Sequence, residues 1–198
     1  MKLKGLLLLA LFFQLLSVQA QRIFYSQPVR DDLRQMRFEI LGKYNQVYPV
    51  YKNVRNRHFI SVYGADMGLK ENVDLDFIPD RTSDVTVIPT PEQILVFYQY
   101  QKKGVVYCMG VRLDGEGKKL TEPLTVDTTD TGSSTDRRVY SIITSDDKKK
   151  IMLFKIKNRS RDDFTVTTLL LNAANLMPLR KKTFEYSLEN SKESIADF

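Results

Sequence analysis

Past the first forty or so residues, hydrophobic positions either alternate with polar ones or run continuously over strand-length segments broken by short polar turns. The most apolar segment is 94–100, comprising Ile94, Leu95, Val96, Phe97, Tyr98, Gln99 and Tyr100. It holds no Gly or Pro and is mostly apolar or aromatic at both odd and even positions. A lookalike stands at 151–156: Ile151, Met152, Leu153, Phe154, Lys155 and Ile156. Strand side chains alternate between the two faces of a sheet, so strands apolar at every position predict coverage from both sides.

The other segments take their places around these two. Over 21–41 the pattern supports two readings. Val29, Leu33, Met36 and Ile40 have helical spacing, with Ser26 and Pro28 as a start signal, whereas 37–41 reads as a strand with Phe38 and Ile40 on one face. We expect a lead-in over 21–36 and a strand from Arg37. Strands follow at 47–51, where Pro49 suits an edge or a bulge, at 58–63 and at 72–78. In the last of these Val73, Leu75 and Phe77 alternate with Asn72, Asp74 and Asp76. A second unit runs through 85–88, 94–100, 105–113 and 120–126, with a hairpin signal at Asp114 and Gly115. Residues 127–138 are polar and read as an exposed loop. A third unit runs through 139–143, 149–157, 164–171 and 179–186, and 189–198 is a polar tail.

Units two and three are similar. Ile94, Leu95, Val96 and Phe97 align with Ile151, Met152, Leu153 and Phe154, and the order of strands and turns is shared. The expectation is an all-β fold of about three four-stranded antiparallel blade-like units (37–80, 84–127 and 138–188), a partial or incomplete β-propeller. The alternative is an antiparallel β-sandwich. Closed propellers have about four to eight blades, so three units predict an uncovered blade face. That face predicts self-association or an envelope-protein partner.

Three stretches carry a resemblance: Tyr51-Lys-Asn-Val-Arg-Asn-Arg-His-Phe-Ile-Ser-Val-Tyr63, Phe97-Tyr-Gln-Tyr-Gln-Lys-Lys-Gly-Val-Val-Tyr-Cys-Met109 and Lys150-Ile-Met-Leu-Phe-Lys155. They resemble the N-terminal part of exported, uncharacterised, propeller-like proteins of Bacteroidota-type bacteria, which are generally longer. The resemblance implies a cell-envelope location and supplies no catalytic residues.

Residues 1–20 read as a secretory signal peptide. Lys2 and Lys4 precede an apolar run over 5–16 interrupted only by Gln14, and Val18 and Ala20 suit a signal peptidase. The run is shorter than the ~20 residues of a membrane span, so no transmembrane span is expected after cleavage. The location expected is the periplasm, the cell envelope or the exterior. The formal net charge is +6, but positive and negative stretches alternate along the chain without forming a basic stripe, so nucleic acid is not expected as a partner.

Chemistry is sparse. Cys108 is the only cysteine, which excludes an intramolecular disulfide, and its apolar neighbours predict a buried thiol. His58 is the only histidine, so two-His metal motifs are absent. The glycines lack a phosphate-loop spacing. No cofactor, metal or catalytic set is expected. The candidate ligand-site residues are Asp74 and Asp76, paired carboxylates on one expected strand face, and Tyr48 and Tyr51, which suit stacking on a sugar or peptide. The sequence therefore predicts an exported, non-catalytic binding or scaffold module. Alternatives are a secreted hydrolase or carbohydrate-active domain, and a truncated piece of a longer propeller protein.

Overall fold

The computed structural model describes residues 23–25, 36–132, 138–158 and 163–187. The expected signal peptide, all but four residues of the lead-in and the polar tail lie outside them.

The described chain forms three four-stranded antiparallel sheets and no helix. The first holds β1 (Met36–Ile40), β2 (Val47–Val54), β3 (Arg57–Gly64) and β4 (Leu69–Asp74). The second holds β5 (Thr82–Pro89), β6 (Ile94–Lys102), β7 (Val105–Leu113) and β8 (Leu124–Asp130). The third holds β9 (Tyr140–Thr144), β10 (Lys150–Asn158), β11 (Asp163–Asn172) and β12 (Pro178–Ser187). Within each sheet, strands consecutive in sequence are neighbours in space, and no sheet closes into a barrel. This is the all-β fold of blade-like units or a layered sandwich that the hydrophobic pattern predicts. No helix among the described residues is long and apolar enough to cross a membrane.

Two cores hold the sheets together, and β6 belongs to both. Ile94, Val96 and Tyr98 pack with Tyr44, Tyr51, Ile60 and Val62 of the first sheet. Leu95 and Phe97 pack with Tyr140, Ile151, Leu153 and Leu171 of the third. β7 divides likewise, with Met109, Val111 and Leu113 on one side and Val106 and Cys108 on the other. The period of two along a strand thus supplies two different layers from one segment.

Polar side chains fasten the layers where apolar packing ends. The Tyr44 hydroxyl donates to the Thr90 carbonyl at 2.7 Å, joining the first sheet to the second. Gln93 Nε2 donates to the Ala173 carbonyl at 2.8 Å, joining the second to the third. Buried Gln99 donates from Nε2 to the Tyr140 carbonyl at 2.7 Å and accepts at Oε1 from the Tyr140 and Val139 amides at 2.8 and 3.1 Å. A buried amide with several partners satisfies the requirement that interior polar groups be paired. The turn after β7 also docks on the first sheet: a Cβ on Gly115 would lie 2.4 Å from the Tyr44 Cβ.

Several expectations change. The segment 151–156 is not covered on both sides: Ile151 and Leu153 are buried, whereas Met152, Phe154 and Ile156 are only partly so. Its outer face also bears exposed Ile143 and Phe184, because no described sheet stacks there. The strand expected at 72–78 is instead β4, ending at Asp74; Leu75 still turns inward, and a turn closes with the Ile78 amide donating to the Leu75 carbonyl. The strand expected at 120–126 starts at Leu124 and runs to Asp130, so the expected loop from 127 begins inside β8. Pro49 lies in β2, between β1 and β3. Its carbonyl accepts from the Leu41 amide just past the end of β1, so its missing N–H faces a local edge.

Two phenylalanines test the double-covered strand. Phe97→Ala, at a site with no exposure, should cost about 3–5 kcal/mol. Phe38→Ala, at a site 61% exposed, should stay within about 0.5 kcal/mol of the parent. Urea denaturation measures both; equal effects would contradict the layering.

Candidate functional site

Turn chemistry positions a polar cleft between the first and second sheets. The β2–β3 hairpin closes through Arg55 and Asn56 at φ of 51° and 63°, the paired positive values of a tight two-residue turn. The Asn53 side-chain oxygen accepts from the Asn56 amide at 3.1 Å and fixes that turn. This sets the register in which Arg37, Asn53 and His58 lie side by side across β1, β2 and β3. Opposite them the chain enters β5 through Asp80, Thr82, Ser83 and Asp84, with a register shift between Thr82 and Asp84 that leaves Ser83 unpaired in the ladder. Irregularities of this kind re-aim side chains. Between the two walls is an open cleft of about 340 Å³.

At its floor the Tyr51 hydroxyl and His58 Nδ1 are 2.7 Å apart, and the rings lie 13° from parallel. Burial lowers the His58 pKa from its usual 6.5 and raises that of Tyr51, where Asp84 and Glu39 add to the effect. The imidazole is therefore neutral at pH 7 and the phenol protonated. No carboxylate is hydrogen-bonded to the imidazole among the described residues. The pair is a fixed donor–acceptor unit without the nucleophile and orienting acid that hydrolytic sets require.

A second polar cluster lies between the second and third sheets. Lys155 Nζ donates to Asp127 Oδ2 at 2.7 Å, to Thr129 Oγ1 at 2.8 Å and to the Thr128 carbonyl at 3.1 Å. Lys181 Nζ reaches Asp127 Oδ1 at 2.9 Å, and the Tyr140 hydroxyl lies 2.6 Å from Thr129 Oγ1. Burial by itself would raise the Asp127 pKa, but the two lysines outweigh it and hold the carboxyl below the usual range. Every ammonium proton of Lys155 has an acceptor, so the cluster fastens sheets and leaves no nucleophile free. Cys108, buried beside it, has its thiol pushed up to about 12, first by burial and then by Asp127 and Asp84. That removes the thiolate at neutral pH.

The four sequence candidates do not assemble. Asp74 is exposed and meets Arg57 at 3.4 Å, and Asp76 sits in the turn beyond β4. They do not share a strand face, and neither lines the cleft. Tyr48 lies half-buried on the outer face of β2 with the Lys43 ammonium 5.9 Å from its ring centroid. Tyr51 alone reaches the cleft, as a buried floor residue. Arg37, Asn53, Asp80, Ser83 and Asp84 escape sequence reasoning because they meet only through register. Lys155 did leave a signal: it occupies the third inward position after Ile151 and Leu153, and a charge there requires a partner. No cluster of three or more metal-ligating side chains occurs among the described residues.

The lowered His58 pKa has a definite sign. As pH falls through about 6.5, the unfolded chain gains a proton at His58 that the folded chain resists. This group therefore leaves stability unchanged at higher pH and erodes it as pH drops below that value, down to the folded pKa. The loss in urea midpoint between about pH 8 and pH 5.5 should be larger for the parent than for His58→Gln. Identical losses would contradict the burial of the imidazole.

No protein-family model, curated protein or solved structure matches this chain.

Proposed function

We propose that this chain is an exported, non-catalytic binding or scaffold module of the cell envelope, with its binding site in the cleft between the first and second sheets. The observation that carries the reading is the contrast between that cleft and the remaining interior polar groups. Gln93, Gln99, Asp127 and Lys155 are occupied by internal partners. In the cleft, Arg37 and Asp80 have no ion pair or hydrogen bond among the described residues, yet both line the same open space. Unpaired polar groups converging on a concavity mark a ligand site. The leader-like pattern over 1–20 supports export. A hydrolase built on Asp74 and Asp76 lacks the cleft it needs.

The test is a titration of small polar compounds into the protein, following the His58 ring-proton resonances and the compounds themselves by NMR. At least one compound should shift the His58 signals and emerge chemically unchanged. Turnover of a compound, or His58 signals that no compound moves, would overturn the reading. Expression with the native leader in a Gram-negative host should yield an exported protein beginning at Gln21; retention of an intact Met1 terminus in the cytoplasm would remove the export half of the proposal.

A further inference from the structure

The hydrogen-bonding capacity left over on each wall of the cleft identifies the ligand more closely, on the premise that the cleft is a binding site. On the first-sheet wall, Arg37 and Asn53 offer donors. Arg37 presents a guanidinium with no ion pair or hydrogen bond among the described residues. The Asn53 side-chain oxygen is taken by the Asn56 amide, which leaves its NH₂. The Tyr51 hydroxyl and His58 Nδ1 share a hydrogen bond; in the tautomer in which the hydroxyl donates, the neutral imidazole carries its proton on Nε2.

On the second-sheet wall the spare groups are acceptors. The Thr82 hydroxyl donates to the Pro79 carbonyl at 2.6 Å, and the Ser83 hydroxyl donates to the Gln99 carbonyl at 3.1 Å. Both keep only oxygen lone pairs for a ligand. Asp80 is a carboxylate with no ion pair or hydrogen bond among the described residues. Asp84 lies at the edge of the cleft, but its Oδ2 accepts from Thr86 at 3.3 Å and from Gln99 at 3.4 Å, and it shares the Gln99 face of the second sheet, turned towards the third sheet. One wall therefore offers the Arg37 guanidinium and the Asn53 NH₂ to an anion, and the other offers the Asp80 carboxylate and the Thr82 and Ser83 oxygens to a cation.

A phosphate or sulfate would meet the Asp80 carboxylate on its far side, and a polyamine would meet a guanidinium. A neutral sugar would find no open aromatic face, because the Tyr51 ring is buried and Tyr48 lies on the other face of β2. The volume of about 340 Å³ is at the small end of ligand sites. We infer that the cleft takes a small zwitterion, a free amino acid or a dipeptide. Its carboxylate lies against Arg37, Asn53 and His58, and its ammonium against Asp80 and the Thr82 and Ser83 oxygens. A guanidinium holds a carboxylate through two parallel hydrogen bonds, which makes Arg37 the principal anchor.

Calorimetric and NMR titrations compare four probes: alanyl-alanine, its N-acetylated form, its C-terminal amide, and inorganic phosphate. The unblocked dipeptide should bind and shift the His58 ring signals. Blocking either end should weaken binding at least about tenfold, the loss expected when a charged group on the protein is left without its partner. Arg37→Gln should abolish the preference for a free carboxylate, and Asp80→Asn should reduce the preference for a free amine. Both residues are exposed, so the variants should keep the parent urea midpoint. Equal affinity for blocked and unblocked dipeptides would overturn the inference. So would His58 shifts caused by phosphate alone, although the cleft would then still stand as a binding site. Silence from all four probes, with a response to some other compound in the wider titration, overturns only the zwitterion assignment; silence from every compound overturns both proposals.

Discussion

The structure depends on one strand having no solvent-facing side. In β6, Ile94, Leu95, Val96 and Phe97 have no exposure, and Gln99 is almost as fully enclosed. Because neighbouring side chains point to opposite faces, this one segment closes the core against the first sheet and the core against the third. The energetic consequence is coupling. Neither layer can separate without exposing half of β6, and burial of apolar side chains is the dominant favourable contribution to folding. The single polar member of the run, Gln99, is tolerated because both ends of its amide are hydrogen-bonded to the chain entering β9.

The same logic explains where the molecule spends its polar groups. Interior donors and acceptors are costly unless matched, and here they are matched across sheet boundaries, by Tyr44, Gln93, Gln99, Lys155 and Asp127. These contacts sit where the apolar layers end, so they orient sheets that hydrophobic packing alone would let slide. The cleft at the β2–β3 hairpin breaks this pattern. At its floor Tyr51 and His58 are bonded to each other, and on its walls Arg37 and Asp80 carry opposite charges without an ion pair among the described residues.

Much of this was legible in the residues. Segment 94–100 announces itself because every position is apolar, aromatic or amide, and 105–113 because its alternate positions fill two layers. The third-sheet lookalike misleads on one point: Met152, Phe154 and Ile156 match the pattern of a double-covered strand, but coverage depends on a neighbour that sequence periodicity does not report. β8 was misplaced because an edge strand rich in Thr and Asp is held by its backbone ladder to β7 and by Lys155 and Lys181 on Asp127, not by apolar side chains. The pair Asp74 and Asp76 looked like a site because strict alternation was extended past the turn at Leu75. The actual cleft was invisible for the opposite reason: Arg37, His58 and Asp80 are far apart in sequence, strand register aligns Arg37 and His58 through Asn53, and Asp80 meets them only where the chain enters β5.

Native-state hydrogen exchange reads the coupling through β6 directly, since amides that open only on global unfolding report the full stability of the molecule. If β6 joins both cores, its amides from Leu95 to Gln99 should be the slowest to exchange, and those of β3 and β10 should open with them as one unit. Exchange of β6 by a cheaper local opening, or separate opening of the first and third sheets while β6 stays protected, would contradict the account.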